Sequence, residues 1–105
     1  MTKISQQLTS KQSKYLKGLG HHLSIVAMVG REGISKTVLT AIEEVLRAHE
    51  LVKIRMQNNC PIDRQEVAKR LSEATGAVVV QVLGKTILLY RENDDPQRDE
   101  KIRLP

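Results

Sequence analysis

The feature that most restricts the fold of this 105-residue chain is the alternation of strand-type and helix-type segments, closed by a glycine-led two-residue turn at Gly84-Lys85. Ile25-Val26-Ala27-Met28-Val29 is a short apolar run, read as a strand buried on both faces. Leu51-Val52-Lys53-Ile54-Arg55-Met56 alternates with period two, which places Val52, Ile54 and Met56 toward a core and Lys53 and Arg55 outward. Residues 77–83 are strongly β-branched, and residues 86–91 return after the turn. A two-residue connection with glycine first suits a type II′ hairpin, so the last strand is predicted to run antiparallel to its predecessor.

Helical spacing fills the intervals. Thr9-Ser10-Lys11-Gln12 has the capping-box form, and the helix it starts is predicted to reach about Leu19 and stop at Gly18 and Gly20. Leu8, Tyr15, Leu16 and Leu19 form its apolar side, and Lys11, Lys14 and Lys17 a basic stripe roughly opposite. Ile34, Val38, Ala41, Ile42, Val45 and His49 recur at helical spacing and define a central helix over about 35–49. Asp63 and Glu66 have the spacing of a helix start, and Val67, Ala68, Leu71 and Ala74 form the buried side of a third helix, with Gly76 after its end. The order α-β-α-β-α-β-β predicts an α+β, two-layer fold: a four-stranded mixed sheet packed with helices. Its first three strands are expected to be parallel, because helices connect them.

The core must be aliphatic, since the chain has no Phe or Trp and two Tyr. No apolar run approaches the roughly 18 residues of a membrane span. The first seven residues do not resemble a secretory signal, and Cys60 is the single cysteine, so a cytoplasmic location is expected. Three parts are expected: a flexible arm over 1–7, one domain over 8–91 and a polar, mobile tail over 92–105, whose Ile102 and Leu104 could dock.

The net charge of +5 is unevenly placed. Residues 1–40 contain six basic residues and one acid, whereas residues 41–105 contain eleven of each. A polyanionic partner fits that distribution. Within the basic part, Val29-Gly30-Arg31-Glu32-Gly33-Ile34-Ser35-Lys36 joins a strand to a helix. Two glycines around two charged residues allow a tight turn and a close backbone approach. The following helix start directs N–H groups and a positive dipole end the same way. Gly30, Arg31, Glu32, Gly33, Ser35 and Lys36 are therefore candidate phosphate-backbone contacts, joined by Lys11, Lys14, Lys17, Lys53, Arg55 and Lys85.

With these elements in place, the chain resembles the bacterial stand-alone, YhbY-type form of the CRM domain (chloroplast RNA splicing and ribosome maturation) over about 8–91. The resemblance is carried by Leu8-Thr9 with Lys11-Gln12 and Tyr15-Leu16, by Val29 to Ile34, by His49-Glu50-Leu51-Val52-Lys53, and by residues 81–86 and 88–91. It implies a fold similar to the C-terminal domain of translation initiation factor three. It also implies RNA binding through a G-x-x-G loop and association with precursors of the large ribosomal subunit. Gly30 and Gly33 match the loop glycines. Glu32 departs from the neutral or basic residue common there, and is expected to point away or to pair with Arg31.

The expected partner is ribosomal RNA of an immature large subunit, together with ribosomal proteins, bound by a monomer. An alternative is a protein–protein docking module on ribonucleoprotein particles. No enzyme is expected, because no P-loop lysine motif, paired acid–base set or metal-ligand spacing is present. No cofactor, metal, small-molecule substrate or membrane contact is expected either. His21-His22 is read as a loop or cap and His49 as a helix end. Cys60 has no nucleophile signature, Met28 and Met56 are read as core filler, and Tyr90 as core with its hydroxyl at the rim. The absence of Phe and Trp argues against an aromatic base-stacking platform.

Overall fold

The computed structural model describes residues 8–92, 102, 104 and 105. The arm expected over 1–7 and most of the tail expected over 92–105 lie outside the described residues. The elements follow the predicted order: α1 (Ser10–Gly20), β1 (Ile25–Val29), α2 (Lys36–Ala48), β2 (Leu51–Met56), α3 (Arg64–Thr75), β3 (Val78–Leu83) and β4 (Thr86–Tyr90). No helix among the described residues is long and apolar enough to cross a membrane.

Local chemistry explains the boundaries. Thr9 and Gln12 form a reciprocal capping box: Thr9 Oγ1 accepts the Gln12 N–H at 3.0 Å, and Gln12 Oε1 accepts the Thr9 N–H at 3.1 Å. Ser35 caps α2 by accepting the Val38 N–H at 3.2 Å, and Asp63 caps α3 by accepting the Gln65 N–H at 3.0 Å. Gly76 ends α3 in the left-handed conformation, with φ 77°. At the hairpin Gly84 has φ 59°, and no described non-glycine residue has positive φ, so Lys85 is excluded from the left-handed region, as type II′ requires and type I′ forbids.

The sheet order is β1-β2-β4-β3. β1 and β2 are parallel, while β4 lies between β2 and β3 and pairs antiparallel with both. The first three strands thus share one direction, as expected, but β3 reaches the sheet through its hairpin partner. α2 and α3 cover one face over Val29, Val52, Ile54, Met56, Ile87 and Leu89. On the other face α1 packs Leu16 onto Leu51, Val80, Leu88 and Tyr90, joined by Leu8, Leu19, Ile102 and Leu104. Ile102 is held by its N–H, which donates to the buried Glu50 carboxylate at 2.6 Å.

Several expectations need correction. β1 is an edge strand, and of its residues only Val29 is fully buried. Val26 is 44% exposed and Met28 54%, so Met28 is not core filler, whereas Met56 is. α1 spans only part of its face and stops short of β1, which leaves these side chains uncovered. Tyr15 is also exposed. α1 does end at Gly20, but its C-cap, His21, has right-handed geometry, and a Cβ on Gly20 would lie 2.7 Å from Leu88 Cδ2. Gly20 is small because the helix touches the sheet there. In α3 the buried register ends on Thr75, whose hydroxyl donates to the Leu71 carbonyl at 2.7 Å, while Ala74 is exposed. Ala41 in α2 is exposed too. Tyr90 is in the core, as expected, at 2% exposure.

Candidate nucleic-acid interface

Parallel pairing of β1 with β2 brings the segments that follow them to the same end of the sheet. The β3–β4 hairpin reaches that end as well, because β4 runs the other way. Three segments therefore meet there: residues 30–35, 57–62 and 84–85. They are tied by backbone hydrogen bonds from the Gln57 N–H to the Val29 carbonyl (2.8 Å) and from the Met56 N–H to the Lys85 carbonyl (2.7 Å). Arg64 Nη1 donates to the Gly84 carbonyl at 2.9 Å, and Lys85 Nζ donates to Asn58 Oδ1.

The G-x-x-G segment is a tight turn in which the Gly33 N–H donates to the Gly30 carbonyl at 2.9 Å. Arg31 and Glu32 occupy its corners and are exposed. They form no ion pair with each other, contrary to one of the two expectations for Glu32. The glycines do something different from the close outward approach anticipated for them. Gly33 is buried with φ 67°, and a Cβ there would meet Ile62 Cδ1 at 3.1 Å. Gly30 lies against Gln57, whose Oε1 occupies the place a Cβ would need, 2.2 Å away. The turn is thus braced from within, and it is the Arg31-Glu32 corner that faces solvent. Behind it, Ser35 caps α2 and leaves the first N–H groups of the helix, those of Lys36 and Thr37, without intrahelical partners.

The other candidate cations divide. Arg31, Lys36 and Arg55 are exposed and make no hydrogen bond or ion pair among the described residues. Lys11 and Lys14 are exposed on α1. Lys17 is half-buried and lines a groove of about 120 Å3 beside Gly20, His21, Lys53, Gln81 and Leu83. Lys53 departs from expectation: its Nζ donates to the Gly20 carbonyl at 3.1 Å and to the Leu23 carbonyl at 3.5 Å. Its charge sits at the C-terminal end of α1, where a cation is favourable, and holds the helix to the sheet. His21 and His22 are exposed and adjacent, and no group of three or more metal-ligating side chains occurs among the described residues.

The sequence reading missed Gln57, Asn58 and Asn59, three exposed amides that line an open groove of about 470 Å3 with Met28 and Arg55. A usable signal was present. Two parallel strands place their following loops side by side, so a polar run after β2 had to neighbour the glycine turn after β1.

Residues 8–91 match the CRS1/YhbY (CRM) domain family. The Bacillus subtilis protein named "Probable RNA-binding protein YqeI" is 36% identical over 98 residues, covering 93% of this chain and 99% of its own. A Haemophilus influenzae protein named "RNA-binding protein" is 38% identical over 98 residues, covering 93% and 95%. The solution structure of SAV1595 from Staphylococcus aureus, described as a candidate RNA-binding protein, superimposes with a TM-score of 0.77 at 36% identity over 94% of this chain and all of the other.

Proposed function

The chain belongs to the CRS1/YhbY (CRM) domain family, and on that premise we propose that it binds RNA at the loop end of its sheet and serves as an assembly factor of the large ribosomal subunit. The names of its relatives support the RNA-binding part. The observation that carries the reading is the 30–33 turn. It displays Arg31 at an internally braced corner, directly before the start of α2, with Lys36, Arg55 and Lys85 exposed on the segments around it. Free N–H groups, a helix dipole and exposed cations at one end suit a sugar–phosphate strand. Lys17, Lys14 and Lys11 extend the positive surface along α1. The ribosomal role rests on the family resemblance and gives the RNA a source: structured precursor ribosomal RNA.

The test is a binding titration of the full chain with precursor ribosomal RNA at several salt concentrations. Replacing Arg31-Glu32 by Asp-Asp weakens binding while the thermal transition stays in place. Equal affinity of variant and wild type would refute the assignment of the turn. A protein-docking role draws on the exposed apolar edge strand β1, with Ile25, Val26 and Met28 in solvent. Salt-insensitive association with ribosomal proteins in the absence of RNA distinguishes that second reading.

A further inference from the structure

The open half of the α1 side of the sheet contains a chemical combination that phosphate binding does not require. Met28 and Arg55 are register partners on β1 and β2, so their side chains stand next to each other on the same face. Met28 is more than half exposed, and Arg55 has no hydrogen bond or ion pair among the described residues. Gln57 follows on the same face and donates from Nε2 to Met28 Sδ at 3.4 Å, which fixes its amide at the groove wall. Asn58 and Asn59 also line it, Asn59 beside Gly30 of the turn. Among the described residues, no acidic side chain lines this groove.

We infer that this groove holds one unpaired nucleobase of the RNA strand whose phosphates lie on the 30–36 segment, an inference that rests on the RNA-binding reading. A flat, polarizable base fits against the Met28 thioether and under the Arg55 guanidinium plane, which supplies stacking without an aromatic ring. Exposed amides of Gln57 and Asn59 present paired donors and acceptors of the kind that read a base edge. Charge favours RNA over a protein strand as the occupant: among the described residues the groove has the cation Arg55 and no carboxylate, and it continues toward Arg31 and Lys36, with Glu32 the one acid between them. Continuity is physical as well, because Gly30 leaves its Cβ space to Gln57 Oε1, with Asn59 Oδ1 3.7 Å from the same point. Gly30 thereby couples the phosphate turn to the base groove. Since Gly30 does not have positive φ, adding a methyl there displaces the Gln57 amide without straining the backbone.

The experiment measures affinity of the full chain for single-stranded homopolymers of A, U and C of equal length, and for duplex RNA of that length, by fluorescence anisotropy over a salt series. Wild type prefers one homopolymer over the others by roughly tenfold, the scale of one base contact. The double variant Met28→Ser, Gln57→Ala loses that preference and keeps the wild-type salt slope, because no charge is removed. Gly30→Ala reduces the preference in the same way. Met28 and Gln57 are exposed, so the double variant folds, and an unchanged thermal transition verifies it. A wild type that binds all three homopolymers alike, or a double variant that keeps the preference, overturns the base site while leaving the RNA-binding reading intact. Binding of ribosomal protein, but of no RNA probe, overturns both.

Discussion

Gly33 illustrates how a single residue holds the shape of the 30–33 turn. Its φ of 67° disfavours any side chain, and Ile62 crowds the space where a Cβ would sit. Gly33→Ala is therefore expected to lower stability by about 1–2 kcal/mol, the cost of a left-handed non-glycine residue, read as a lower denaturation midpoint in urea. Gly20 is demanding for another reason, since its Cβ would collide with the buried Leu88. Gly20→Ala is expected to cost roughly 1–3 kcal/mol by overpacking, by the same measurement. Lys14 differs from both in being exposed, with no ion pair or hydrogen bond among the described residues. Lys14→Ala is expected to leave stability unchanged and to flatten the log–log salt dependence of RNA binding by about 0.7–0.9. An unchanged slope would remove Lys14 from the interface.

At the scale of elements, α1 is attached by Leu16, by the contact of Gly20 with the sheet and by Lys53 on its final carbonyl, that of Gly20. Leu16→Ala is expected to destabilise the domain by about 2–5 kcal/mol, seen as a lower thermal midpoint, because it empties a fully buried site between helix and sheet. All seven elements were legible in the sequence, since caps such as Thr9 with Gln12 and breaks such as Gly84-Lys85 are local signals. The exposure of β1 was not legible. An apolar pentapeptide reads as a doubly covered strand, but whether α1 extends over it depends on strand order, and β4 inserts itself between β2 and β3 in a way no local pattern reports. The same holds for Lys53. Period two correctly put it opposite the Val52, Ile54 and Met56 face, but the carbonyls that take it out of solvent, those of Gly20 and Leu23, come from a chain segment 30 to 33 residues away. Of the candidate site, the turn and its cations were legible, whereas the Gln57-Asn58-Asn59 wall emerges from the parallel pairing of β1 and β2.

For the whole molecule, topology separates two tasks. α2 and α3 bury the larger aliphatic core on one side of the sheet, while the other side is shared between α1 and open surface. Of the cations concentrated in the first forty residues, Arg31 and Lys36 come to the loop end because β1 ends and α2 begins there, and the hairpin adds Lys85. The central claim is that RNA lies across that end. Amide chemical-shift mapping of the full chain during titration with a short single-stranded RNA tests it most directly. The account predicts shifts concentrated at residues 28–37, 55–59 and 85, with smaller ones along α1. Shifts gathered instead on the outer surfaces of α2 and α3, with the 30–33 turn unmoved, would contradict it.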